Sequence, residues 1–144
     1  MTNNEVDTPE FTAADATALL AEVTAPWVQE LGLQVVAVTS EISSFHLPFS
    51  PRLTRDSGSM CGQAIVGAAD TAMIAATTAA IGSYVPMTTV DIACRFLRPL
   101  GSEGGDVTVK ILKAGRRLVV GRVAINDVKT RKLAADINVT YARL

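Results

Sequence analysis

The chain has 144 residues, of which 49% are apolar and 19% charged, and its formal net charge is −1. A chain of this length buries roughly 68–70% of its unfolded surface, enough for one core and too little for two, so we expect a single soluble globular domain. Few aromatic residues, a net charge near zero and no recognition motif argue against a nucleic-acid-binding protein.

The charges are distributed unevenly along the chain. Residues 1–51 hold seven acidic residues and no Lys or Arg, whereas all 13 basic residues follow from Arg52 onward. Without early basic residues, the sequence resembles neither a secretory signal nor a transit peptide, and we expect a cytoplasmic protein. The asymmetry has two interpretations: an acidic helix packed on a mildly basic sheet, or a basic half that meets an anionic ligand.

The N-terminal region is predicted to be a tail followed by a helix. Residues 1–11 are largely polar and acidic, so we expect a flexible tail, and the single domain then comprises residues 12–144. Thr12 and Asp15 have the spacing of a capping box, which predicts a helix that begins here and passes through Val23.

A short turn and one long strand are predicted next. Pro26 is expected to end or kink the first helix, and residues 27–31 to form a short helical turn closed by Gly32. Residues 33–47 are rich in β-branched side chains and predict one long strand, which Pro48 stops.

Residues 59–81 are the most distinctive segment. They are rich in Ala and apolar on nearly every side, which predicts a long helix buried all round. A membrane span is a weaker interpretation, because Gln63, Asp70 and several Thr lower the hydropathy and no basic residues flank the segment.

The C-terminal half predicts an antiparallel sheet. In residues 89–96, Val90, Ile92, Cys94 and Phe96 alternate with more polar positions, and three further strands follow over 107–113, 118–125 and 133–141. Short connections of this kind form hairpins. The fold class is therefore α+β, with a sheet curled around one helix, and we expect self-association to cover what the sheet leaves open.

Asp70 is a candidate functional residue because it is the only formally charged residue between Asp56 and Asp91. An isolated buried carboxylate costs several kcal/mol. It is therefore either satisfied by hydrogen bonds or by an Arg across an interface, or it acts as a general base or nucleophile in a dry pocket.

Gly62, near the start of the same helix, is the second candidate. A Gly at a helix N-terminus lets a ligand approach the backbone N–H, which can donate to a developing oxyanion. Eight helical residues rise about 12 Å, so Gly62 and Asp70 of one chain cannot both reach one carbonyl group. If both act on one substrate, they belong to different subunits.

These residues carry a resemblance to a known family. The segment 57–72 resembles the start of the central helix in hotdog-fold acyl-CoA thioesterases of the PaaI type, and four later segments match that family in order: Thr89–Ile92, Phe96–Pro99, Lys113–Arg117 and Val139–Tyr141. The resemblance implies a hotdog fold, in which a curved antiparallel sheet of five to six strands wraps a long central helix. It also implies a homodimer or a dimer-of-dimers tetramer with its sites at the dimer interface.

The resemblance also implies residue roles in an acyl-CoA thioesterase, whose acyl group we expect to be aromatic or of medium chain length. Asp70 would activate water or attack the thioester carbonyl, Gly62 would polarise that carbonyl, and Thr89 would help to hold the water. No metal is implied, and no cofactor other than coenzyme A as part of the substrate. The residues expected to contact substrate are Arg55, Cys61, Gln63, Met73, Ile74, Arg116 and Arg117.

Two departures from the family pattern bear on the substrate. The chain has Cys61-Gly62-Gln63 where members usually have His-Gly-Gly, and Arg55 where many have Asn or Gln. Arg55 would either pair with Asp70 across the interface and blunt it as a base, or bind an acidic acyl group or a phosphate.

Several alternatives remain open from the sequence. The main one is a non-catalytic hotdog protein that binds an acyl-CoA or another small ligand, and a purely structural oligomer is another. Cys61 at a helix N-terminus is a weaker candidate nucleophile. His46 is the only histidine, which excludes a site with several His ligands in one chain.

Overall fold

The structure is a computed structural model that describes residues 10–144, so most of the predicted tail lies outside the described residues. The elements in chain order are α1 (Ala13–Val23), α2 (Pro26–Gln29), β1 (Gln34–Ala37), β2 (Ile42–Leu47), a 3₁₀ turn (Pro51–Leu53), α3 (Gly62–Ile81), β3 (Met87–Phe96), β4 (Gly105–Ala114), β5 (Leu118–Asp127) and β6 (Leu133–Arg143). The strands form one antiparallel sheet in the order β1-β2-β4-β5-β6-β3. The predicted α+β fold, a long helix wrapped by a sheet of five to six strands, is confirmed with six strands.

The predicted capping box begins α1. The Thr12 hydroxyl accepts from the Asp15 N–H at 3.1 Å, and the Asp15 carboxylate accepts from the Thr12 N–H at 2.9 Å. These two bonds satisfy N–H groups that have no partner inside the helix. Pro26 then occupies the first turn of α2, where its missing N–H costs nothing.

The single long strand predicted over residues 33–47 is wrong, because this segment folds back on itself as the β1–β2 hairpin. A side chain makes the turn: the Thr39 hydroxyl donates to the Ile42 carbonyl at 2.6 Å and accepts from the Ile42 N–H at 3.1 Å. Thr and Ser form such side-chain turns, and the β-branched run on both sides conceals the break from a pattern-based prediction.

The helix α3 packs on the concave face of the sheet. Met73 on α3 is fully buried, and a Cβ added to Gly121 of β5 would lie 2.5 Å from its sulfur. Gly121 therefore permits the close approach of helix and sheet. Although α3 is long and apolar enough for a membrane span, 61% of the relevant window is buried, and it is the core helix of this fold.

Burial of α3 on all sides, as the sequence predicted, is not observed in the single chain. One stripe at helical spacing is exposed or only partly buried, formed by Gln63, Val66, Gly67, Asp70 and Ile74. Beside it, β3 is the last strand of the sheet and has no partner on its outer edge within the described residues. The open stripe and the free edge lie on the side of the molecule that carries the candidate site.

Candidate active site

The candidate site is a groove along the open stripe of α3. This groove, the α3 groove, has a volume of about 610 Å³ and is lined by Trp27, Gly62, Gln63, Val66, Gly67, Asp70 and Phe96. Asp70 is the one charged residue among these. Its carboxylate therefore lies on the wall of an apolar groove large enough for part of a small organic ligand.

Two hydroxyl groups hold the Asp70 carboxylate by the same oxygen. The Thr89 hydroxyl lies 2.9 Å from Asp70 Oδ1, and the Tyr141 hydroxyl lies 3.0 Å from it and also contacts the Asp70 carbonyl oxygen. The other carboxylate oxygen, Oδ2, has no hydrogen-bond partner within residues 10–144. One oxygen therefore orients the carboxylate, and the other is available to a water or a substrate.

A β-bulge brings Thr89 to Asp70. The β3–β6 register shifts between Thr89 and Asp91, so that Thr89 pairs with Tyr141 and Asp91 with Thr140. Strict alternation with Ile92 would place Thr89 on the outer face of the sheet. Because the bulge inserts Val90 as an extra residue, Thr89 faces the helix, and bulges commonly re-aim a side chain in this way.

Tyr141 is a site residue that the sequence analysis did not identify, as are the groove-lining Trp27 and Phe96. It lies on β6 and is only 3% exposed. Burial of the ring, and then the nearby Asp70 charge, raises the pKa of the Tyr141 phenol, so the hydroxyl stays protonated. The only sequence signal for Tyr141 is its position in β6. It continues the alternating buried positions Ala135, Ile137 and Val139, and it is the one member with a polar group.

Gly62 is the first residue of α3, as its proposed role requires. The side chain of the preceding N-cap residue, Cys61, makes no capping hydrogen bond in the described structure. The first N–H groups of the helix are thus left to a ligand, at the positive end of the helix dipole. A Cβ on Gly62 would lie 3.2 Å from the Phe96 ring, so a larger residue would crowd this end of the groove.

Arg55 lies near the helix start and not beside Asp70 of the same chain. It lines a second depression of about 510 Å³ together with Gly62, Phe96 and Arg98, which we call the arginine pocket. The carboxylate nearest to Arg55 in the described chain is that of its neighbour Asp56, at 3.5 Å. Within one chain, Arg55 therefore does not neutralise Asp70.

The other predicted substrate contacts are only partly brought together. Gln63 lines the α3 groove, and Ile74 lines smaller cavities next to Asp70. Met73 does not line the site, because it points from the opposite side of α3 into the sheet. Arg116 and Arg117 lie in the β4–β5 turn and line none of the cavities that contain Asp70.

Solved structures of similar fold include several thioesterases. The H. influenzae thioesterase superposes with a TM-score of 0.83 at 20% identity, over 95% of this chain and 93% of its own. The PaaI protein of the E. coli phenylacetic acid degradation operon gives 0.75 at 18% identity, over 92% and 93%. A conserved P. aeruginosa protein gives 0.76 at 23% identity, over 86% and 98%.

Comparison of the sequence with known protein families identifies the family of this chain. No curated protein matches the chain as a relative. Residues 58–134, however, match the thioesterase superfamily, and this match includes the start of α3, Asp70 and Thr89. With the hotdog fold described above, the match shows that the chain belongs to the thioesterase superfamily.

Proposed function

We propose that the protein hydrolyses acyl-CoA thioesters, with Asp70 as the catalytic carboxylate. The observation that carries the proposal is the Asp70 carboxylate on an apolar groove, oriented through Oδ1 by Thr89 and Tyr141 and with Oδ2 unengaged. A carboxylate with one free oxygen can remove a proton from water or attack a carbonyl carbon itself.

The reaction needs an oxyanion donor opposite the carboxylate. The Gly62 N–H at the uncapped start of α3 is suited to donate to the thioester oxygen as charge develops on it. With Asp70 as base, the oxygen of water adds to the carbonyl carbon and Asp70 accepts its proton. Collapse of the tetrahedral intermediate breaks the C–S bond, and coenzyme A leaves as a thiol once it takes up that proton.

The complete site requires two chains. Gly62 and Asp70 are eight residues apart on one continuous helix, which separates them by about 12 Å along its axis. The free outer edge of β3 offers ten residues for antiparallel pairing with a second copy. Such a homodimer, alone or as half of a tetramer, would bring Gly62 of one chain towards Asp70 of the other.

Both cysteines are free in the structure. This suits the reducing cytoplasm, where we place the activity.

The test is hydrolysis of a panel of short, long, aromatic and dicarboxylic acyl-CoAs by the wild type and by Asp70→Asn. Loss of the carboxylate should lower kcat by about 10²–10⁴-fold. Asp106→Asn is the matched control, because Asp106 lies on β4, is 49% exposed and lines none of the cavities that contain Asp70, so it should leave kcat unchanged.

Circular dichroism and native mass spectrometry must show that Asp70→Asn keeps the wild-type fold and oligomeric state. Turnover that survives in Asp70→Asn would contradict the proposal. Saturable acyl-CoA binding without turnover of any panel member would replace it with the binding-protein alternative.

A further inference from the structure

The arginine pocket is a second depression that meets the α3 groove at Gly62 and Phe96. Its floor is apolar, and two of its residues, Met60 and Ile65, are only 4% and 3% exposed. Its guanidinium groups come from Arg55, in the loop before α3, and Arg98, which follows β3. Apolar and cationic surfaces are thus combined within one pocket of about 510 Å³.

The positive charge of this pocket is largely uncompensated. No Asp or Glu lines the pocket in the described part of the chain. The Arg55 side chain is 64% exposed. The neighbouring Asp56 side chain is 91% exposed, and its Oδ1 lies 3.5 Å from Arg55 Nε. Such an exposed pair contributes little and is easily exchanged for another carboxylate.

Arg98 is oriented by one hydrogen bond and keeps further N–H donors for a ligand. Its Nη1 donates to the Leu133 carbonyl oxygen at 2.8 Å, which engages one of its five N–H groups. The first turn of α3 contains no acidic residue, so the helix dipole adds to the positive potential of the two guanidinium groups. An anion is the ligand that suits these three features together.

Two anionic parts of a substrate could bind here, the phosphates of coenzyme A or a carboxylate on the acyl group, and the position of the pocket favours the carboxylate. Gly62 lines both depressions, so a thioester carbonyl at its N–H would extend one substituent into each. The phosphates of coenzyme A lie at the far end of the long pantetheine arm. A carboxylate at the end of a short acyl chain lies only a few bonds from the carbonyl, and its methylene groups match the apolar floor.

We infer that the arginine pocket binds a carboxylate on the acyl group, so that the preferred substrates are CoA thioesters of short dicarboxylic acids. Arg55 and Arg98 are then specificity-determining residues. The inference rests on the proposed thioesterase function, and it assigns to Arg55 the recognition of an acidic acyl group in place of the neutralisation of Asp70.

The experiment compares matched pairs of substrates: succinyl-, glutaryl- and adipyl-CoA, each against the neutral straight-chain acyl-CoA with the same number of carbons. The wild type should have the higher kcat/KM for at least one dicarboxylic member. Arg55→Gln and Arg98→Gln should each lower that value by about 10–100-fold, as expected when a charge-assisted hydrogen bond is lost. Each variant should therefore lower the ratio of kcat/KM between the dicarboxylic and the neutral substrate by a similar factor.

Arg52→Gln is the matched control, because Arg52 lies in the same loop region, is 80% exposed and pairs with Glu30 outside the pocket. Arg52→Gln should leave kcat/KM unchanged for both substrate classes. A wild type that prefers the neutral substrates would overturn the inference. Arg55→Gln could instead lower kcat/KM equally for both substrate classes and have no effect on acyl-pantetheine substrates, which lack the phosphates. That result would also overturn the inference and assign Arg55 to the binding of coenzyme A.

A binding measurement separates this inference from the proposed function. Titration calorimetry with non-hydrolysable thioether analogues, one with a terminal carboxylate and one without, reports selectivity without turnover. Tighter binding of the carboxylate analogue, lost in Arg55→Gln, would support the pocket even if no thioester were hydrolysed. Equal binding of both analogues by the wild type would contradict it even if thioesters were hydrolysed.

Discussion

At the scale of single residues, the Asp70 carboxylate depends on two hydroxyl donors that share Oδ1. Tyr141→Phe removes one donor and keeps the buried ring, and Thr89→Val removes the other and keeps the side-chain shape. Hydrogen bonds to charged groups contribute about 1.5–3 kcal/mol, so each variant should lower kcat by about 10–100-fold. KM should stay near the wild-type value, because neither hydroxyl is directed at the substrate. Steady-state kinetics on one acyl-CoA substrate provides the measurement.

The conservative variant Thr89→Ser is the control for these losses. It keeps a hydroxyl at the bulge and should recover most of the kcat that Thr89→Val loses. If Thr89→Ser were as slow as Thr89→Val, or if the variants raised KM with kcat unchanged, positioning of Asp70 by hydroxyl donors would be the wrong explanation.

The residue scale also shows which candidate site residues the sequence alone can supply. Asp70 and Gly62 follow from simple physics, namely an isolated charge in an apolar helix and a Gly near its start. Thr89 is reached only through the family resemblance, since period-two alternation assigns it to the outer face and the bulge is not visible in the pattern. Tyr141 acts across 71 positions of sequence, which no local pattern reports.

At the scale of elements, the turn between β5 and β6 depends on one buried carboxylate. Asp127 is 4% exposed and accepts the Gly101 N–H at 2.9 Å and the Thr130 N–H at 2.8 Å. The bond from Gly101, followed by that from Thr130, lowers the pKa of Asp127 below its usual value. Its ionised form therefore connects the β3–β4 loop to the β5–β6 turn.

Replacement of this carboxylate should destabilise the fold in a pH-dependent way. Asp127→Asn places an amide N–H₂ against one of the two N–H donors and should lower the free energy of unfolding by about 1–3 kcal/mol at neutral pH. Because the folded-state pKa is lowered, the stabilisation is present above the unfolded-state value of about 3.9 and is lost as the pH falls through the folded-state value. Urea unfolding at one protein concentration, at neutral pH and below about pH 4, measures this change.

Asp106→Asn is the control, because Asp106 is 49% exposed and its contacts to His46 and Arg131 are 3.4 and 3.9 Å long. It should shift stability by less than about 0.5 kcal/mol. A difference between wild type and Asp127→Asn that stayed constant down to strongly acidic pH would show that Asp127 does not act through its charge.

Most elements are predictable from sequence, because their signals are local. The capping box of α1, the apolar length of α3 and the alternation in β4 to β6 each lie within one segment. The predicted start of α3 at residue 59 is three residues early, because Met60 forms an isolated bridge with Thr54 and the helix begins at Gly62. The β1–β2 hairpin is missed because one Thr side chain makes its turn.

At the scale of the whole molecule, the single chain leaves an apolar surface uncovered around its groove. Trp27 is 60% exposed, Phe96 55% and Val90 54%, and all three lie on the groove or on the free β3 strand. Exposed apolar groups of this size beside an unpaired strand edge indicate an interface. Coverage by a second copy would complete both the core around α3 and the site.

Complementation between two inactive variants tests this arrangement. Gly62→Pro removes the oxyanion N–H at the first helical position, where Pro is well tolerated, and a Cβ added there meets only the Phe96 side chain, at 3.2 Å. Asp70→Asn removes the carboxylate. Each variant alone should be inactive. In the proposed dimer, Gly62 of one chain would face Asp70 of the other, so a mixed dimer would contain one intact site.

Co-refolding of equal amounts should therefore restore about a quarter of wild-type activity, since half of the dimers are mixed and each contains one intact site. Native mass spectrometry of differently tagged chains confirms that mixed dimers form, and each variant refolded alone is the control. If mixed dimers form and activity does not return, Gly62 and Asp70 do not act on the same thioester from two chains. Recovered activity that falls on dilution in step with the dimer population would fix the active unit as two copies of this chain.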